Sequence, residues 1–190
     1  SQFDEYELND MVKLIDKKGS KEEKQDFMNL ISSAYNSGEN ININYLSKDT
    51  KAQIMNTILS TEPVNEKKLS EIIETSGKSA VFELVNKGNL SDKQLSILAK
   101  NTNGDTMSDD IKVSSKMLGS MIKTYNEDPK GSTVSLKDIN KFIDEIGKDA
   151  DRDEVMKRLI EQLGEGPGSE YKKFKDLAPS TLDKMWNMSK

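Results

Sequence analysis

Apolar residues recur three or four positions apart along most of the chain, and this spacing places them on one face of an α-helix. Phe27, Leu30, Ile31 and Ala34 form one such face. The pattern predicts helices over residues 4–17, 21–35, 46–60, 65–75, 78–86, 91–100, 109–125, 136–146 and 151–163, followed by a C-terminal helical segment that ends near residue 188. The sequence therefore predicts an all-α protein of about nine or ten short amphipathic helices.

Start and stop signals at the ends of these segments support the helical prediction. A serine followed three residues later by an acid or an amide can form a capping box, in which each side chain binds a free backbone N–H of the other residue. Such pairs are Ser20/Glu23, Ser91/Gln94, Ser135/Asp138 and Ser180/Asp183. Glycines directly after periodic segments indicate where helices end, and these are Gly19, Gly77, Gly88, Gly147 and Gly164.

Evidence for strands is confined to residues 41–45 and 133–136, where apolar and polar residues alternate. Hairpins this short are marginally stable, so we expect extended pieces between helices. Apolar helices followed by polar, glycine-containing loops predict antiparallel helical hairpins, arranged as an irregular bundle or a short helical array. We expect a helical domain, 1–168, and a C-terminal helical segment, 169–190, packed on it as part of one domain, with the glycine-rich residues 164–168 between them.

The composition excludes several classes of function. The 190-residue chain contains no histidine and no cysteine, which removes thiol nucleophiles, disulfides, the usual general base and the usual zinc ligands. Its net charge is −5, with acidic and basic residues interspersed, so nucleic acid is not expected as a partner. The basic stretch at residues 171–175 is interpreted as a solvated helix face. No apolar run is long enough to span a membrane.

Three loops rich in Asp, Asn and Gly were tested against the pattern of a calcium-binding helix–loop–helix. That pattern needs oxygen ligands at positions 1, 3 and 5, glycine at position 6 and a closing glutamate at position 12. The loop starting at Asp149 has Glu154 in place of the glycine and Ile160 in place of the glutamate. In the loop starting at Asn126, Lys130 occupies a ligand position, and residues 101–105 place their glycine too early. We interpret all three as helix caps and turns, and predict no metal site and no cofactor.

Acid-catalysed hydrolysis is the remaining catalytic possibility. It would need a glutamate of raised pKa in an apolar pocket, facing a second carboxylate. Glu83, between Phe82 and Leu84, has apolar sequence neighbours. Adjacent positions on a helix point in different directions, so Glu83 is expected to face water, and no residue is assigned as catalytic.

Methionine is the most suggestive residue type, with nine in the chain. Methionine adapts its shape, and in helical proteins it either fills gaps in the core or lines grooves that bind varied partners. The C-terminal segment combines methionines with aromatic residues, which are enriched in interface cores. It can complete the core or bind a partner, and its candidate partner-binding residues are Tyr171, Phe174, Met185, Trp186 and Met188.

These observations favour a non-enzymatic helical protein-interaction or adaptor module that binds another protein, as a piece of a larger bacterial protein. The alternatives are a secreted bacterial effector or a carboxylate-dependent enzyme acting on a host or cell-wall substrate, and a degenerate relative of the calcium-binding helical proteins. We expect a soluble protein in the bacterial cytoplasm, or a secreted one without a visible signal peptide.

The loop analysis makes the first testable prediction. Isothermal titration with calcium should give no saturable binding at micromolar concentrations, because each candidate loop lacks its glycine, a ligand or its closing glutamate. Saturable binding that is lost when Asp149 or Asn126 is replaced by alanine would contradict the prediction.

Overall fold

A computed structural model describes residues 7, 10–11, 14, 17–87, 89–103 and 110–146 of the chain. The chain divides into two compact units, Ser1–Gly88 and Asn89–Lys190. Six α-helices and one short 3₁₀ helix lie in the continuous described stretches, and none of the described residues is in a strand. The all-α prediction is therefore confirmed for this part of the chain.

The first unit contains helices α1 (Lys21–Asn36), α2 (Lys48–Ser60) and α3 (Glu66–Lys87), with a 3₁₀ helix at Ile43–Tyr45 between α1 and α2. Helix α2 packs against both α1 and α3, and the 3₁₀ helix contacts α3. Of the face predicted on α1, Phe27 and Ile31 are buried in this core, whereas Leu30 is 55% exposed and corrects that prediction. The largest fully buried side chains of the core are Ile31, Ile54, Met55, Ile58, Leu59, Leu69 and Ile72.

The second unit contains helices α4 (Asp92–Lys100), α5 (Ile111–Glu127) and α6 (Leu136–Ile146), each of which contacts the other two. Helix α5 is the most deeply buried of the three, and four of its nine buried residues are small ones. Those small residues are Ser114, Ser115, Gly119 and Ser120. Small side chains let neighbouring backbones approach closely, so α5 contacts its neighbours through several faces.

Predicted capping boxes account for where three helices begin. Ser20 and Glu23 bind each other's backbone N–H groups at the start of α1, and Ser91 and Gln94 do the same at the start of α4. Before α6, the Asp138 carboxylate accepts hydrogen bonds from the N–H and hydroxyl of Ser135, whose oxygen accepts the Asp138 N–H. All three boxes are confirmed, and the fourth pair, Ser180/Asp183, lies outside the described residues.

Helix α1 ends on a glycine that the sequence analysis did not single out. Gly38 has a φ of 100°, a left-handed conformation that favours glycine. Its N–H bonds the carbonyl of Tyr35, and the N–H of Glu39 bonds the carbonyl of Ala34. These two bonds form a Schellman motif, which satisfies carbonyls that the helix leaves free. A glycine three residues after the last apolar helix position, Tyr35, was the available signal.

Gly77 was predicted as a stop signal, and regular helical geometry does break at this residue. The segments predicted at 65–75 and 78–86 are joined into α3, but Gly77 has non-helical backbone angles, φ 72° and ψ 178°. The Thr75 hydroxyl donates to the carbonyl of Glu71, and the Ser76 hydroxyl donates to the carbonyl of Ile72. These bonds satisfy carbonyl groups just before the break.

Two expectations need correction. The described residues contain six α-helices, fewer than the nine or ten predicted, in part because α3 joins two predicted segments. The alternating residues 41–45 form no strand but end in the 3₁₀ helix, in which Ile43 is buried. The predicted helix at 151–163, the C-terminal segment and the proposed boundary at residue 168 lie outside the described residues, and these remain predictions.

The break in α3 yields a stability prediction. With φ near 72° and ψ near 178°, Gly77 occupies a region that is essentially restricted to glycine. Nothing lies within 4 Å of an added Cβ, so the cost of Gly77→Ala comes from the backbone alone. We expect urea unfolding to show a loss of about 1–3 kcal/mol. The exposed Ser79→Ala on the same helix should change stability by less than about 0.5 kcal/mol, and equal effects of the two variants would contradict the prediction.

Candidate functional site

The described residues bring together one compact group of ionisable side chains, which we call the charged cluster. It consists of Lys48 and Asp49 in the first turn of α2, and Glu83 and Lys87 near the end of α3. The Glu83 carboxylate lies 2.5 Å from the Lys87 amine and 3.6 Å from the Lys48 amine. Lys87 also lies 3.9 Å from the carboxylate of Asp49. Two acids and two bases therefore connect the two helices.

Burial differs sharply within the charged cluster. The Glu83 side chain is 12% exposed, whereas those of Lys48, Asp49 and Lys87 are 55%, 65% and 71% exposed. Glu83 Oε2 is buried and accepts no hydrogen bond, so the ion pair with Lys48 is its polar contact. Glu83 is thus the central residue, and the other three contact it from the solvent side.

The pKa values of the two carboxyl groups are shifted in opposite directions. A hydrogen bond from Asp49, followed by one from Lys87, lowers the pKa of Glu83 to about 2. The same contact with Glu83 raises the pKa of Asp49, because Asp49 lies next to a carboxylate that is already ionised. As the pH falls, Asp49 therefore takes up a proton before Glu83 does.

This arrangement corrects the expectation that Glu83 faces water. The residue has apolar sequence neighbours, and its side chain lies mostly covered between α2 and α3. The sequence signal that could have found it is the spacing of Glu83 and Lys87, which permits an ion pair across one helical turn. The partners on α2 could not be identified from sequence, because they depend on how the two helices pack.

The charged cluster does not have the properties of a hydrolytic carboxylate pair. Such a pair needs one carboxyl group whose pKa is raised so that it can deliver a proton, with about 5 Å or more between the two groups for substrate. Here the more buried carboxyl has a lowered pKa, two lysines neutralise it, and the second carboxyl is in hydrogen-bonding contact with it. The arrangement is that of an ion-pair network between two helices.

A second, smaller polar contact lies at the start of α4. The Asp92 carboxylate accepts a 2.8 Å hydrogen bond from the Ser120 hydroxyl of α5 and lies 3.9 Å from the Lys123 amine. An acid in the first turn of a helix also interacts favourably with the helix dipole. Asp92 therefore fixes the beginning of α4 on α5.

Two of the three candidate calcium loops lie wholly or partly within the described residues. Asp128 accepts a hydrogen bond from the N–H of Gly131, and the Asn101 side chain donates to the carbonyl of Ile97. Both side chains bind local backbone, as in the interpretation of these loops as turns and caps. No group of three or more acidic side chains is arranged to hold a metal ion within the described ranges. The loop at Asp149 lies outside them.

The methionines that the structure describes favour core packing over an exposed groove. Met55, Met117 and Met121 are fully buried, and Met11 and Met28 are half-buried. The large apolar side chains exposed in the described parts of the chain are Leu14, Leu30 and Tyr45. The proposed partner-binding residues lie outside the described residues, and these are Tyr171, Phe174, Met185, Trp186 and Met188.

Comparison with known proteins gives no relative from which a function could be carried over. No protein-family model, curated protein sequence or solved structure matches the chain. In the part of the chain that the structure describes, no helix combines the length and apolar character needed to cross a membrane.

The charged cluster predicts that neutralising Glu83 lowers the free energy of unfolding and that neutralising Asp49 does not. Glu83→Gln should lower the free energy of unfolding by about 1 kcal/mol at pH 7, because it removes the charge that both lysines contact. Asp49→Asn should leave stability unchanged or slightly higher, because ionised Asp49 lies beside ionised Glu83.

The pH dependence follows from the directions of the two shifts. The folded-state pKa of Glu83 is depressed from 4.5 to about 2, so its contribution is present above pH 4.5 and is lost between these values. Urea unfolding at a series of pH values should show the deficit of Glu83→Gln shrinking over that window. A deficit independent of pH, or an equal loss for Asp49→Asn, would contradict the electrostatic origin.

Proposed function

We propose that the chain is a non-enzymatic helical module that binds another protein, in the manner of an adaptor. The observation that carries this proposal is the chemical state of the charged cluster. The charged cluster joins two acids and two bases, and a hydrogen bond from Asp49 together with the contacts to Lys87 and Lys48 keeps its buried carboxyl ionised instead of reactive. With no histidine or cysteine in the chain, the commonest catalytic groups are also missing.

The C-terminal residues are the proposed contact surface for the partner. Tyr171, Phe174, Met185, Trp186 and Met188 combine aromatic rings with adaptable thioethers, a composition typical of interface cores. Trp186 is the single tryptophan of the chain, and tryptophan is among the residues that most often dominate binding energy. The burial of Met55, Met117 and Met121 supports placing the contact surface elsewhere than on these methionines.

The single tryptophan provides a direct test. If Trp186 serves a partner, its fluorescence in the folded protein should resemble that of indole in water, and acrylamide should quench it as readily as in the urea-unfolded chain. Trp186→Ala should leave the melting temperature nearly unchanged and abolish capture of a protein partner from a lysate of the source organism.

The opposite role makes different predictions for the same measurements. A tryptophan that completes the core should be shielded from acrylamide, and its replacement by alanine should cost on the order of 3 kcal/mol or more. Trp186→Phe serves as the matched control, since a core site would tolerate it better than alanine. Shielded fluorescence together with a melting temperature lowered by many degrees would overturn the proposed role of Trp186.

A further inference from the structure

Helix α3 has two halves that are held in place by different contacts. Residues 66–76 precede the break at Gly77, and residues 78–87 follow it. Regular helical geometry is interrupted between them, and hydroxyl groups of Thr75 and Ser76 take over carbonyls of the first half. Cooperativity along a helix depends on an unbroken series of backbone hydrogen bonds, so the break weakens the coupling between the halves.

The first half is fixed by contacts with the end of α1. The Tyr35 hydroxyl lies 3.5 Å from the carbonyl of Lys68, and the Lys68 amine lies 4.8 Å from the centre of the Tyr35 ring. The side chain of Asn65, just before the helix, donates to the carbonyl of Asn36. Leu69 and Ile72 are fully buried in the same half. None of these contacts involves a residue beyond Gly77.

The second half is fixed by an apolar face and by the charged cluster. Ala80 and Val81 are buried in the middle of this half, and Leu84 and Val85 are buried in its last turn. The last turn adds the polar contacts of Glu83, in which Lys87 comes from the same turn and Lys48 from the start of α2. The connections of this turn to α2 therefore include one largely buried carboxylate that bridges two lysines.

We propose that the two halves of α3 open as separate units, and that the charged cluster is the clasp that holds the last turn of the second half on the first turn of α2. Opening of this clasp exposes the ends of two helices while the core around Leu69 and Ile72 stays closed. Proteins commonly open in such contiguous local units, whose free energies differ within one fold. The clasp lies directly before residue 88, where the first compact unit ends.

Amide hydrogen exchange of the full chain, read by mass spectrometry or nuclear magnetic resonance, tests the proposal. Glu83→Gln should speed exchange of the amides of residues 83–87 and 48–51 by about tenfold, since it removes the central charge of the clasp. Exchange at residues 69–76 should change by less than about twofold. Glu74→Gln, an exposed acid on the same helix, is the matched control and should leave both segments unchanged.

A second variant distinguishes local opening from a general loss of structure in Glu83→Gln. Lys87→Gln changes a side chain that is 71% exposed and should produce the same localised increase, smaller in size. High salt should reproduce part of the effect in the unaltered protein, because it screens exposed charges. Equal acceleration in both halves of α3, or no acceleration at residues 83–87 in either variant, would overturn the proposal.

Discussion

The architecture depends on the burial of one apolar stripe from each of several helices that are too short to be stable alone. Isolated helices of fewer than about 12–15 residues are marginal in water, and α4 and α6 have 9 and 11 residues. Each must therefore bury its apolar face against a neighbour to persist. Packing against α5, which follows α4 and precedes α6 in the chain, provides that burial for both helices. Helix caps and ion pairs add stability to helices that this packing already stabilises.

Polar contacts in this protein fix the ends of helices, and apolar contacts fix their middles. Glu83 holds the end of α3 to the beginning of α2, and Asp92 holds the beginning of α4 to α5. Tyr35 lies where the end of α1 meets the beginning of α3, and burial together with the nearby Glu71 raises the pKa of its phenol to about 12. The phenol therefore stays protonated at pH 10, where an unperturbed tyrosine is about half ionised. A helix end is where backbone groups lack partners, so additional contacts have the largest effect on order there.

Features that depend on residues close together in the sequence were predicted correctly, and features that depend on residues far apart in the sequence were not. Residues 136–146 were predicted as a helix and are observed as α6 with the same bounds, because its cap and its apolar period are both local signals. Gly77 was predicted as a break and the helical geometry is interrupted there, but the direction in which the second half leaves the break depends on how both halves pack on neighbours. The prediction that Glu83 faces water was wrong for the same reason, because Lys48 is distant in sequence and comes near Glu83 only after folding. Helix caps and apolar periodicity could be predicted from the sequence, whereas contacts between helices could not.

Helix α5 has a consequence for the ancestry of this protein. From Val113 to Ile122, all residues but Lys116 are buried, and four of them are small residues, where added volume in a packed core is destabilising. Surface helices can exchange most of their residues over time, whereas this segment is restricted in size on nearly every side. Within the part of the chain that the structure describes, its succession of serine, glycine and methionine is therefore expected to diverge slowly. A distant relative that shares the architecture would be recognised first by this segment, long after the charged and exposed helices had ceased to resemble one another.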